Sequence, residues 1–88
     1  MSYRTRIETK LRTLSPESLE VIDESENHRG HGGYREGGET HFRVRIVAAA
    51  FAGATRLARH RIVNDLLADE LKERVHALAI EAKAPGEA

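Results

Sequence analysis

The chemistry open to this chain is set by five histidines, His28, His31, His41, His60 and His76, because it contains no cysteine. Imidazole is then its only strong ligand for borderline metals. Disulfides, thiol chemistry and an all-cysteine metal site are excluded for the isolated chain. His28 and His31 lie in Glu24–Gly38, ESENHRGHGGYREGG, which holds five of the seven glycines. His41 stands beside the most regular strand pattern. His76 follows a helical stretch at the head of the last strand, where a side chain can sit at the rim of a fold. Read from the residues alone, His76 is a histidine hydrogen-bonded to backbone at a strand edge, and the loop imidazoles are solvated. His60 lies within Arg59-His60-Arg61, in the first half of the longest amphipathic stretch.

Other chemistry has little support. No nucleophile–base arrangement, paired carboxylates or phosphate-binding fingerprint is present, so an enzyme is not expected. Gly30-His31-Gly32-Gly33 spells the G-x-x-G of a KH clamp, but it falls between two predicted strands rather than two helices, and the match is read as coincidence. Fourteen basic and fourteen acidic residues cancel, which lowers the odds of binding dominated by nucleic-acid phosphates. Charge can still be segregated. Arg56, Arg59, His60 and Arg61 on the helix, with Arg43 and Arg45 on a strand, form a candidate surface for a partner or for DNA. The plainer reading is a solvated helix face with Arg61–Asp65 as an i,i+4 pair.

These residues must be positioned by a small set of elements. Tyr3, Ile7, Leu11 and Leu14 make one stripe of a first helix, which starts at a Thr5–Glu8 capping box or earlier, at Ser2. Ser15-Pro16 ends it, and Pro16 is placed to begin one further helical turn. Leu19–Asp23 alternates as a short strand. Thr40–Val47 is the cleanest strand, with Phe42, Val44 and Ile46 on one face and His41, Arg43 and Arg45 on the other. That one-sided pattern implies a sheet covered by helices on one face only. After the Phe51–Gly53 turn, Thr55 is placed to cap a helix whose apolar stripe is Leu57, Val63, Leu66, Leu67 and Leu71. Its polar face begins basic and ends acidic (Asp65, Asp69, Glu70, Glu73), against the helix dipole, which raises the question of what the basic turn meets. Val75–Lys83 is apolar on both faces and is expected to be central or well covered. The order α-β-β-turn-α-β describes an α+β sandwich with a three-stranded sheet. Residues 1–85 form a single domain, and 86–88 are expected to fray.

It is the ordered series of short patterns that makes the chain recognisable. Phe51-x-Gly53, Arg59-His60-Arg61, Leu67-x-x-Glu70-Leu71 and Val75-His76-Ala77-Leu78 resemble the BolA family. So do Leu19-Glu20-Val21, Glu24-Ser25 and Glu39-Thr40-His41-Phe42-Arg43-Val44 upstream. The resemblance implies a fold similar to the type II KH arrangement. BolA proteins commonly continue past the last strand into a C-terminal segment, often helical, whereas this sequence ends at Ala88.

The resemblance also implies a function. BolA proteins share a [2Fe-2S] cluster with monothiol glutaredoxins, and the histidine of V-H-A-L is the family's cluster ligand, here His76. A second ligand comes from the loop between the first two strands, as histidine or cysteine; lacking cysteine, this chain resembles the histidine type. His28 is the first choice, with His31 and His41 as alternatives. The remaining thiolates would be the glutaredoxin's cysteine and glutathione. The expected role is iron–sulfur cluster trafficking or iron regulation, with DNA-binding transcription regulation as the rival. No apolar run approaches the ~20 residues that span a bilayer and no signal-peptide core is present, so a cytoplasmic protein is expected. The free chain is expected to be a monomer or weak dimer, without membrane partners.

Overall fold

The structure, a computed structural model, describes residues 2–24 and 40–87. Helix α1 (Tyr3–Leu11) leads through a 3-10 turn (Arg12–Leu14) to strand β1 (Ser18–Asp23). Strand β2 (His41–Val47) and a second 3-10 turn (Ala49–Phe51) follow. Helices α2 (Arg56–Leu66) and α3 (Ala68–Glu73) then lead to strand β3 (Ala77–Lys83). His28, His31 and the G-x-x-G lie outside the described residues.

The sheet order is β1-β2-β3, with β1 antiparallel and β3 parallel to β2. A parallel neighbour demands a crossover, which α2 and α3 supply by passing over one face. The register places Leu19, Val21, Phe42, Val44, Ile46, Leu78, Ile80 and Ala82 toward the helices. Phe42, Val44 and Ile46 are fully buried with Ile7 and Leu11 of α1 and with Phe51, Val63 and Leu67. Burial of each such side chain contributes roughly 1.5–3 kcal/mol. The opposite face carries Glu20, Arg43, Arg45 and Glu81 and is open, as the alternation in β2 predicts.

Both helix starts follow from their caps. Ser2 Oγ accepts from the Thr5 N–H at 3.1 Å, so α1 begins at Tyr3, the earlier of the two starts. Thr55 Oγ1 accepts from the Ala58 N–H at 3.1 Å and opens α2 as expected. In Phe51-x-Gly53 the phenyl ring is buried while Gly53 holds φ at +75°, a conformation that side chains with a Cβ rarely adopt.

Several expectations are corrected. Pro16 opens no helical turn; the extra turn precedes it, and Ser15 ends that turn with φ at +51°. Leu57 does not face the core and is 63% exposed. Arg61 and Asp65, both described, form no ion pair. The long helix breaks at Leu67, whose φ of −102° and ψ of 17° leave the helical region while its side chain enters the core. The break puts Asp69 and Glu70 in the first turn of α3, where the dipole favours them. Strand β3 begins at Ala77 and is an edge strand, not a central one: it reads apolar because it is rich in alanine, too small to demand cover on both faces. Hydrogen bonds continue to Glu87, two residues past the expected domain edge.

The largest departure is Glu70. It was grouped with a solvated acidic face, yet its side chain is wholly buried. Arg6 Nε and Lys10 Nζ of α1 donate to it at 3.0 and 2.8 Å, and Arg6 also binds Glu73. Hydrogen bonding to Glu70 raises the Lys10 pKa above its ordinary value. Removing one member of a buried ion pair is costly because the other charges lose their compensation, so Glu70→Ala is expected to lower unfolding free energy by about 2–4 kcal/mol. Leu67→Ala is expected to cost about 2–5 kcal/mol. Leu57→Ala should change stability by less than ~0.5 kcal/mol. Urea unfolding of the three variants checks the correction directly.

Candidate metal centre and the basic surface

The C-terminal end of α3 decides where His76 stands. The Glu70 carbonyl accepts the N–H groups of both Arg74 and Val75, at 3.0 and 2.9 Å, and Val75 is buried. The next residue, His76, donates its N–H to the Thr40 carbonyl at 2.7 Å and leaves its ring exposed. An anchored backbone and a free ring suit a ligand at a rim.

His41 is the imidazole that the described fold brings to it. It opens β2 opposite Ala77, the residue after His76, and the two rings lie 6.4 Å apart with planes inclined at 36°. His41 is buried at 7% exposure, and its Nδ1 is 2.9 Å from the Thr40 hydroxyl. When Nδ1–H donates to that hydroxyl, the ring lone pair is on Nε2, the usual way a second polar group orients a ligating histidine. Thr40 thus holds both histidines, one through its hydroxyl and the other through its carbonyl. Nothing in the sequence singled it out; its position just ahead of the His41 strand was the available signal.

Two imidazoles on one tetrahedral ion, each bound at ~2 Å, have ring centres ~5 Å apart. The observed 6.4 Å is therefore slightly long, and of the two rings His76 is the exposed one, free to change rotamer. Among the described residues no group of three or more His, Asp or Glu side chains could enclose an ion. As ligands, two imidazoles could supply half of a tetrahedral set; the sequence holds two further histidines, His28 and His31, between Glu24 and Thr40. Both ends of that segment are at the site: the Glu24 N–H donates to the His41 carbonyl at 2.8 Å, and Thr40 closes the other end.

The basic residues do not form one surface. Arg43 and Arg45 lie on the open sheet face, away from the helices that carry Arg56–Arg61, which corrects their expected grouping. They are also neutralised. Arg43 donates to Glu24 at 3.1 Å and Glu81 at 3.3 Å; Arg45 donates to Glu81 at 3.0 Å and Glu20 at 3.2 Å. Hydrogen bonding from Arg45, then Arg43, holds the Glu81 carboxyl below its usual range.

Arg59 answers what the basic turn meets. Its Nε donates to the Ala54 carbonyl and its Nη1 to the Ala82 carbonyl, both at 3.0 Å. Its two Nη atoms grip Glu87 at 2.6 and 2.7 Å. It is a strut between α2, the end of β3 and the last turn. Arg56, His60 and Arg61 have no acidic partner within ion-pair distance among the described residues. Arg56, Arg59 and His60 line a groove of about 340 Å³ between α2 and β3, with Ile80, Lys83 and Glu87.

The model of the family described as BolA-like protein matches residues 11–87. The chain belongs to the BolA family. Its relatives include an uncharacterized protein in the cobS 5′ region of a Sinorhizobium species, 56% identical over 89 residues that cover 99% of this chain and 96% of that protein. A SufE-like protein 1, chloroplastic/mitochondrial, of Arabidopsis thaliana is 51% identical over 87 residues, 93% of this chain but 24% of that protein. The solved BolA domain of SufE1 from Arabidopsis thaliana superposes with a TM-score of 0.90 at 49% identity, covering 100% of this chain and 98% of that one. A Vibrio cholerae protein named DNA-binding transcriptional regulator BolA is 49% identical over 75 residues, 84% of this chain and 67% of that protein. The BolA fold is thus an α+β domain of three strands with its helices on one face. Among the described residues no helix is long and apolar enough to cross a membrane.

One prediction concerns the Arg59 strut. Hydrogen bonds from Arg59 and then from the Ala84 N–H hold the Glu87 carboxyl down at about 2, from an ordinary 4.5. A depressed folded pKa contributes stability above the ordinary value, and that contribution is lost as pH falls toward the folded one. Thermal melts between pH 4.5 and 2 should therefore show a shallower acid loss for Glu87→Gln than for the parent chain. Parallel curves would show that the strut contributes nothing.

Proposed function

We propose that this BolA protein shares a [2Fe-2S] cluster with a monothiol glutaredoxin, serving iron–sulfur cluster trafficking or iron regulation from the cytoplasm. The observation that carries the reading is the anchored, exposed His76 with a second imidazole 6.4 Å away. The donor set fits a cluster held in common: it is all imidazole and incomplete, so thiolates must come from a partner's cysteine and glutathione. Imidazole ligation raises a cluster's potential above that of all-thiolate ligation and makes binding sensitive to protonation. The chain's own part is to present His76 on a fixed backbone and to let His41 or a loop histidine, His28 or His31, complete its side of the site.

A second reading is DNA-binding regulation, favoured by the name of the Vibrio relative. Against it, Arg43, Arg45 and Arg59 are occupied by carboxylates, leaving Arg56, His60 and Arg61 on the helix. Binding through phosphates would fall steeply with salt, and anisotropy with a labelled duplex showing none at low salt would dispose of it.

The cluster reading is tested by mixing the chain with a monothiol glutaredoxin, iron, sulfide and glutathione and recording visible absorption and circular dichroism. His76→Ala is expected to abolish the spectrum of the mixed complex, leaving the glutaredoxin homodimer's. Of His28→Ala, His31→Ala and His41→Ala, the one that shifts the spectrum identifies the second ligand. A His76→Ala spectrum identical to the parent's would remove His76 from the site.

A further inference from the structure

Strand β3 leaves one edge of the sheet open. Ala82 directs its carbonyl outward to Arg59, so by the two-residue period Leu78 and Ile80 point their N–H and C=O groups outward as well. No backbone partner meets those groups among the described residues. An unpaired edge is a template for another strand, and proteins commonly blunt it with charge or cover it. Among the described residues the Ala82 end is covered, by Arg59. The groove between α2 and this edge follows it from Ile80 to Lys83.

The groove's charge states what it would accept. Arg56, His60 and Lys83 have no ion-paired acid among the described residues. The acids beside them are committed, Glu81 to Arg43 and Arg45 on the open face and Glu87 to Arg59. Glu87 is itself instructive. Within the groove, a carboxylate from a turning segment is already held by a guanidinium at 2.6 and 2.7 Å and by the Ala84 N–H at 2.9 Å.

We propose that the β3 edge and the α2 groove bind an extended acidic peptide segment of a partner protein, which adds to the sheet as a fourth strand. Main-chain hydrogen bonds to Leu78 and Ile80 hold it in register, and its alternate side chains, being acidic, meet Arg56 and His60 on the helix side, with Lys83 at the mouth. The charged end of this surface, at Lys83, is seven residues from His76 along an extended chain, roughly 20 Å or more; the Leu78 end lies two residues from His76, and the proposal uses neither histidine of the pair and does not depend on the cluster reading.

The probe is a fluorescein-labelled heptapeptide alternating Glu and Val, titrated against the full chain by anisotropy and by amide shifts in heteronuclear NMR. Saturable binding with shifts confined to residues 78–83 and the first half of α2 is expected. A Gln-for-Glu peptide and the Arg56→Glu/Lys83→Glu variant should each bind about tenfold more weakly or worse. The variant's circular dichroism melt confirms that it is folded. N-methylation of alternate peptide N–H groups should abolish binding in one register. The proposal is overturned if the methylated peptides bind equally, if a single-stranded oligonucleotide binds more tightly at the same amides, if the edge is instead closed by a second copy in sedimentation, or if no binding is seen.

Discussion

A buried carboxylate governs where the rest of this BolA chain can go. Glu70 lies at 0% exposure between Arg6 and Lys10, and a carboxylate in that position is tolerable only because both cations reach it. The ion pairs fasten α3 to α1, and the same residue's carbonyl ends α3 by taking the next two free N–H groups. The chain must then turn into β3, and His76 is the residue at the turn. The position of His76 is therefore set by a charge cluster on the helical layer rather than by the strand that follows it.

Thr40 performs the matching task from the side of β2. A threonine just ahead of the strand can bind with its side chain and its carbonyl in different directions, and here one goes to His41 and the other to His76. His41 opens β2 and His76 immediately precedes β3, whose first residue pairs with His41, so their backbone separation is fixed by the sheet and by one residue's bonds. Only the exposed ring of His76 has freedom to adjust. One imidazole is held and the other can adjust, which is what the proposed sharing of a site with another protein's thiolates asks for.

Legibility in the sequence followed the strength of the physical pattern. The α1 stripe and the Phe42–Val44–Ile46 face were plain because burial there is periodic and one-sided, and Thr55 was plain because a helix start has few alternatives. Glu70 was not, since nothing local distinguishes a carboxylate that turns inward to two distant cations from one that faces water. Leu57 misled for the converse reason: a leucine at helical spacing is counted as core, yet this one is exposed. The alanines of β3 looked apolar on both faces, yet Ala77, Ala79 and Ala82 bury too little area to require neighbours, so the strand sits at an edge. In the arginines, number and spacing were visible, but whether a guanidinium is offered or occupied depends on acids such as Glu24, Glu81 and Glu87 that are remote in the sequence or lie across the sheet.

That last distinction explains how a chain with fourteen charges of each sign can still present a directed surface. Neutrality by count says only that the sum vanishes. The open sheet face uses its charges against one another, in a ladder running Glu20–Arg45–Glu81–Arg43–Glu24, and α1 uses its cations against α3. Exposed pairs of this kind contribute little stability each, but they cancel long-range fields on the faces they occupy. Among the described residues Arg56 and Lys83 have no ion-paired acid and lie together at the groove between α2 and β3. Cations without partners beside an unpaired strand edge combine long-range attraction with a backbone register, the two ingredients that recognition of an extended anionic chain requires.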